Sequence, residues 1–178
     1  MKPRERHRSV SVKGMHLLPL YVFTMILSLG ACTSIDCPVQ NLVETQYALM
    51  DAYDNPDILD TDTLNIWTRR VDGTDTLVLN SLCGEASTFS LPISYTQPED
   101  IFCLRLNTIE KVSYQDTICI EKENYPHFES VDCQAAYFHT LTAVGTTHNF
   151  IDSVTIQHSQ VNYDVSNTHI YIYLKANR

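Results

Sequence analysis

Glycine is scarce in this chain, with five residues in 178. That leaves no glycine-rich loop to cradle a phosphate and no Gly-x-Ser-x-Gly turn to present a nucleophile, and no metalloprotease His-Glu-x-x-His run is present. The cysteines are nowhere spaced Cys-x-x-Cys, so a zinc site of the usual kind is not expected. No stretch carries the 3.6-residue apolar period of an amphipathic helix. The longest apolar run, Leu17 to Leu29, falls short of the roughly 20 residues that cross about 30 Å of hydrocarbon. Neither an enzyme nor a helical integral membrane protein is expected from such a chain.

What is present at the N-terminus points to export. Lys2, Arg4, Arg6, Arg8 and Lys13 precede the apolar run, the charge-then-apolar layout of a signal peptide. The run ends in Leu29-Gly30-Ala31-Cys32, which resembles the bacterial lipobox, where a small residue precedes a cysteine that becomes thioether-linked to diacylglycerol. Residues 1–31 therefore read as a cleaved signal, Cys32 as the acylated first residue, 32–40 as a short tether and 41–178 as one domain. Each acyl methylene buried in lipid contributes about 0.8 kcal/mol, so a triacylated cysteine anchors a protein essentially permanently. Loss of the signal leaves seven Lys and Arg against twenty Asp and Glu, a net charge of about −13. Such a polyanion repels phosphate backbones, which excludes nucleic acid and makes the lipid bilayer, reached through Cys32, the one partner read directly from the residues.

The mature chain is built for strands. In Phe89-Ser-Leu-Pro-Ile93 and Ile170-Tyr-Ile-Tyr-Leu174 the aliphatic positions fall on every second residue, as a half-buried strand requires. Pro92 lacks a backbone donor, which predicts a sheet edge. Asp72-Gly73 predicts a hairpin with a two-residue type I′ loop, setting Ile66 opposite Leu79, Trp67 opposite Val78 and Arg70 opposite Asp75. Further strands are expected over 45–50, 101–106, 117–122, 136–144 and 153–156. Nine or ten short strands in one domain predict an all-β, antiparallel β-sandwich, immunoglobulin-like in architecture but without the immunoglobulin Cys-Trp-Cys pattern, since Trp67 has no flanking cysteines at the usual spacing.

Three groups of residues invite chemistry. Alternation puts Phe102, Leu104 and Leu106 on one strand face and Cys103 on the other, while Ile118 and Ile120 likewise leave Cys119 opposite them. A hairpin pairing Phe102 with Ile120 would set Cys103 against Cys119, and a disulfide is expected there, in a compartment that oxidises thiols. The acidic stretch Asp51, Asp54, Asp57, Asp60 and Asp62 is the one local cluster suited to calcium, although it lacks EF-hand spacing, and no other cofactor is expected. His127, His139, His148, His158 and His169 read as scattered surface histidines. The His148-x-x-x-Asp152 pair loses its helical meaning in a strand, where residues four apart stand about 13 Å from one another.

The segments Ser90-Leu-Pro-Ile-Ser-Tyr95, Asn124-Tyr-Pro-His-Phe128, Val131-Asp-Cys133 and Thr147-His-Asn-Phe-Ile-Asp-Ser-Val154 resemble a family of uncharacterised Bacteroidales lipoproteins, classed only as a domain of unknown function. The likeness covers the mature chain and is densest over 117–173. It implies a small β-rich domain on a lipidated cysteine and carries over no activity, cofactor or catalytic residue. Cys37 and Cys133 both fall within the span of that likeness, less ambiguously than Cys83, and Cys133 follows the strand break at 126–132. A Cys37–Cys133 bridge is expected, with Cys83 the odd thiol; it would hold the domain within about 18 Å of the lipid, five residues at full extension. Closing so long a loop contributes on the order of 4 to 5 kcal/mol in the chain-entropy model.

The leading expectation is an accessory or structural subunit of a cell-envelope assembly, paired with an integral outer-membrane β-barrel protein. The alternative is a ligand- or calcium-binding module using Asp51 to Asp62. Surface-exported lipoproteins of the resembled group carry an acidic stretch after the lipidated cysteine, whereas here Thr33-Ser-Ile35 precedes a lone Asp36. The expected site is the periplasmic face of the outer membrane. Proteinase added to whole cells should therefore leave the domain intact, and rapid digestion would place it on the cell surface instead.

Overall fold

The computed structural model describes residues 43–176, and the signal, Cys32 and Cys37 lie outside the described residues. Those 134 positions, all within one compact unit, form ten strands and no helix. In chain order these are β1 (Glu44–Met50), β2 (Asp60–Arg69), β3 (Asp75–Gly84), β4 (Thr88–Pro92), β5 (Glu99–Asn107), β6 (Ser113–His127), β7 (Ala136–Thr146), β8 (Ile151–Ile156), β9 (Gln160–Val161) and β10 (Ile170–Leu174). One sheet has the order β4-β1-β10-β8 and the other β3-β2-β5-β6-β7-β9. Their apolar faces pack together as the predicted β-sandwich. β4 is an edge strand, as Pro92 requires. One pairing departs from the antiparallel expectation: β1 and β10 run parallel, Tyr47 beside Ile170 and Leu49 beside Ile172. Parallel neighbours need a long connection, and here it contains every other strand among the described residues.

Period-two burial accounts for the core. Tyr47 and Leu49 of β1, Phe89 and Leu91 of β4, and Ile170, Ile172 and Leu174 of β10 meet Leu64, Ile66, Phe102, Leu104, Leu106, Ile118 and Ile120 from the larger sheet. Tyr47 stacks on Phe89 at 5.1 Å and meets Phe102 edge-on at 6.4 Å, so one ring ties its own sheet to the facing one. A buried side chain of this size contributes roughly 1.5 to 3 kcal/mol by leaving water.

Two predicted registers are corrected, and turns are the cause of both. Ile66 does face Leu79, but a bulge then shifts the ladder so that Trp67 faces Leu77 and Arg69, rather than Arg70, faces Asp75 at 3.1 Å. The loop is one residue longer than a type I′ pair: Arg70 and Thr74 close it, and Gly73 takes the left-handed conformation at φ 81°. In the β5–β6 hairpin, Phe102 pairs with Ile118 and Cys103 with Thr117, two residues away from the expected pairing. The tight turn from Thr108 to Val112, with Lys111 at φ 63°, sets that register. Cys103 and Cys119 therefore sit diagonally on one outer face and are free thiols, not a disulfide. Diagonal neighbours stand about 7–8 Å apart, beyond the reach of a disulfide.

The chain passes from the larger sheet to the smaller between β7 and β8, and Asp116 of β6 holds it there. Asp116 is 3% exposed. Its carboxylate accepts hydrogen bonds from Thr147 Oγ1 at 2.6 Å and from the backbone N–H groups of Asn149, Phe150 and Ile151 at 2.8 Å each. Bonds to an ionised acceptor are the strong ones, and removing the acceptor leaves buried donors unpaired. Asp116→Ala should lower the unfolding free energy by about 3 kcal/mol or more, read as a fall in the urea midpoint. An unmoved midpoint would show that water replaces the carboxylate.

Candidate functional site

The acidic stretch does not assemble a cation site. Asp51 accepts from the N–H groups of Tyr53 and Asn55 at 2.8 and 2.9 Å and from the Asn55 amide, and the Asn55 backbone bond leads in holding its carboxyl below the ordinary range. Asp54, at φ 62°, accepts from the Tyr173 hydroxyl at 2.8 Å. The Asp57 N–H donates to Leu49 O at 2.9 Å, whereas Asp60 and Asp62 already belong to β2. The five residues thus span a loop and a strand, and their carboxylates do not converge. Among the described residues no three His, Cys, Asp or Glu side chains are grouped to hold a metal ion.

The histidines divide in a way that alternation along single strands did not reveal. His148 Nδ1 meets the backbone carbonyl of Asp152 at 2.6 Å, not its carboxylate, and His127 pairs with Glu129 at 3.1 Å near the surface. His139 and His169, by contrast, are buried, each 1% exposed. His169 Nδ1 accepts the Gln46 N–H at 2.9 Å, locking a neutral tautomer against β1. His139 Nδ1 donates to Asn124 Oδ1 at 2.7 Å. Cys119 donates its thiol to Glu99 at 2.7 Å, and burial first, then that carboxylate, push it up to about 11, which keeps it a poor nucleophile.

Asn124 belongs to a largely buried polar cluster at another crossover between sheets, where the chain leaves β4 for β5. Lys122 Nζ lies 2.7 Å from Asp100 Oδ2, both nearly inaccessible, and donates to Gln97 O at 3.0 Å. Asp100 also accepts the Ser94 N–H at 3.1 Å, and Asn124 Nδ2 donates to Gln97 O at 2.7 Å. Burial raises the Asp100 carboxyl, with the Lys122 ammonium holding against the rise. These residues escaped a reading that searched for motifs. The signal was the alternation itself: Asp116, Ile118, Ile120, Lys122 and Asn124 share the inward row of β6, and three of the five are polar. Nearby, the Tyr47 and Thr45 hydroxyls are buried without a hydrogen-bond partner.

Beside this cluster opens a cavity of about 360 Å³, lined by Val43, Ile93, Tyr95, Gln134, Ala135, Tyr137 and His139. Tyr95 and Tyr137 stack at 4.7 Å to make an aromatic wall. Ile93 and Tyr95 directly follow β4, so the exposed edge of the smaller sheet runs into the cavity mouth. Around the corner, Phe138 carries His127 stacked at 4.2 Å and Tyr163 edge-on at 5.0 Å. The arrangement offers backbone pairing and a recess for a side chain, and its buried charged groups already bond one another.

Residues 63–174 match a family described as a family of unknown function, DUF6452. No curated protein and no solved structure matches the chain.

Burial and the Lys122 ammonium push His139 down to about 4, and burial lowers His169 as well. Both stay neutral in the folded protein where an unfolded chain, near 6.5, takes up protons. Stability should therefore be level above about pH 7 and fall as the pH drops from 6.5 toward 4. His139→Gln should flatten that slope whatever its effect on stability at pH 7, as followed by melting temperature against pH. An equal slope in both proteins would assign the acid sensitivity elsewhere.

Proposed function

We propose that this chain, which belongs to the DUF6452 family, is an acylated envelope lipoprotein acting as an accessory subunit of an outer-membrane assembly. In this reading residues 1–31 are removed and Cys32 carries the lipid, as in the Bacteroidales lipoproteins that the sequence resembles. A Cys37–Cys133 disulfide draws the domain toward the bilayer. Two observations support the bridge: Cys133 is buried, and Cys83, Cys103 and Cys119 are free thiols.

The observation that carries the subunit role is the β4 edge leading into the Tyr95–Tyr137 cavity. An extended segment added to a sheet edge gains affinity from main-chain hydrogen bonds and specificity from pockets that take its side chains. A periplasmic segment of an integral β-barrel protein suits both, its backbone along β4 and one apolar or aromatic side chain between Ile93 and Tyr137. The recess falls at the small end of the range that fixes bound groups in orientation, about 300 to 1,000 Å³.

Ser90 alternates outward between buried Phe89 and Leu91. A photoreactive residue there should capture an outer-membrane protein in intact cells, and the adduct should weaken with Tyr95→Ala and vanish with Cys32→Ser. Capture of nothing across several growth conditions, or an adduct indifferent to both substitutions, would remove the subunit role.

A further inference from the structure

We infer that the end of the sandwich bearing the Ser130–Cys133 turn lies against a zwitterionic bilayer, with Phe128 and Val131 at the lipid–water interface. This orientation rests on the tether at Cys32 and specifies which face that tether brings down.

The first observation is where the chain comes from. Val43, the first described residue, lines the same cavity as Gln134 and Ala135, so the N-terminal segment leaves the domain at this end. Eleven residue-to-residue steps lead from Cys32 to Val43, a reach of about 38 Å at full extension. The end of the domain where the segment emerges is the end it holds nearest the lipid.

The second observation is what is exposed there. Val131 is 97% exposed at the tip of a turn that the Cys133 N–H closes onto Ser130 O at 3.2 Å, and Phe128 is 63% exposed just before it. Tyr163 and Val165 add apolar surface at the same end, exposed by 37% and 61%. A soluble surface rarely gathers large apolar side chains around one turn without something to cover them. Aromatic residues with one apolar and one polar edge favour the interfacial zone of a membrane.

The third observation is charge. Between Lys122 and His139 the chain has no lysine or arginine, while Glu129 and Asp132 flank Val131. Attraction to anionic lipid cannot drive the contact, because those carboxylates repel it. Shallow apolar insertion into a zwitterionic surface remains, and the covalent lipid supplies the residence time that such a small patch lacks alone.

The test uses the full acylated protein reconstituted in phosphatidylcholine vesicles whose acyl chains carry bromine, which quenches tryptophan within the bilayer. Trp67 of the unchanged chain sets the baseline. Phe128→Trp and Val131→Trp introduce reporters at exposed positions, and Ile109→Trp, 70% exposed on the β5–β6 turn at the opposite end, is the control. The added emission at 128 and 131 should be largely lost in brominated vesicles, and that at 109 retained. Flotation with the vesicles but no quenching at 128 and 131, or equal quenching at 109, overturns the orientation while leaving the tether in place. Failure to float with the vesicles overturns both. Photocrosslinking from position 131 to a protein, with quenching absent, assigns this end to a protein partner and also overturns the inference.

Discussion

Asp116 and Lys122 stand six residues apart on the inward row of β6, one on each side of Ile118 and Ile120. The two isoleucines fill the core between the sheets. The two charged groups hold two of the places where the chain crosses from one sheet to the other: Asp116 gathers the N–H groups of the β7–β8 crossover, and Lys122 grips the β4–β5 crossover through Gln97 and Asp100. Burying charge is costly unless it is paired and its hydrogen-bonding capacity is met, and both sites meet that condition with chain that would otherwise be loose connection. Two connections between the sheets are thereby fixed to the one strand β6.

Local residue types made the elements legible, and longer-range geometry made the pairings less so. Phe102, Leu104, Ile170 and Ile172 declared strands and faces by alternation, and Pro92 declared an edge, because each depends only on its neighbours in sequence. Register depends on turn length, and the left-handed residues Gly73 and Lys111 lengthened one loop and shortened another relative to the simplest expectation. That difference separated Cys103 from Cys119. The parallel pairing of β1 with β10 joins residues more than 120 positions apart, and no local pattern encodes it.

The candidate site was legible in a different measure. Its aromatic wall comes from Tyr95 and Tyr137, which lie on separate segments and gain meaning only once stacked. His139 reads from its neighbours as one more half-exposed strand residue, yet the partner that buries it, Asn124, comes from the adjacent strand. The acidic run Asp51 to Asp62 drew attention by composition, whereas Asp100 and Asp116 head inward-facing rows that continue through Phe102, Leu104 and Leu106 and through Ile118 and Ile120. A charge at an inward-facing strand position carried more information than density of charge in a loop.

The placement of β1 has a mechanical side. The N-terminal segment feeds into Glu44, and β1 lies inside its sheet, paired with β4 on one side and β10 on the other. A pull applied at Glu44 along the strand axis would shear both ladders at once and would not peel them open one bond at a time. Resistance to forced unfolding is set by the barrier to that concerted break. β10 points the same way as β1 and ends at the far pole of the sandwich, so the load spreads over the whole length of the smaller sheet. A domain held by the start of β1 would therefore meet tension as one block, without opening from an edge.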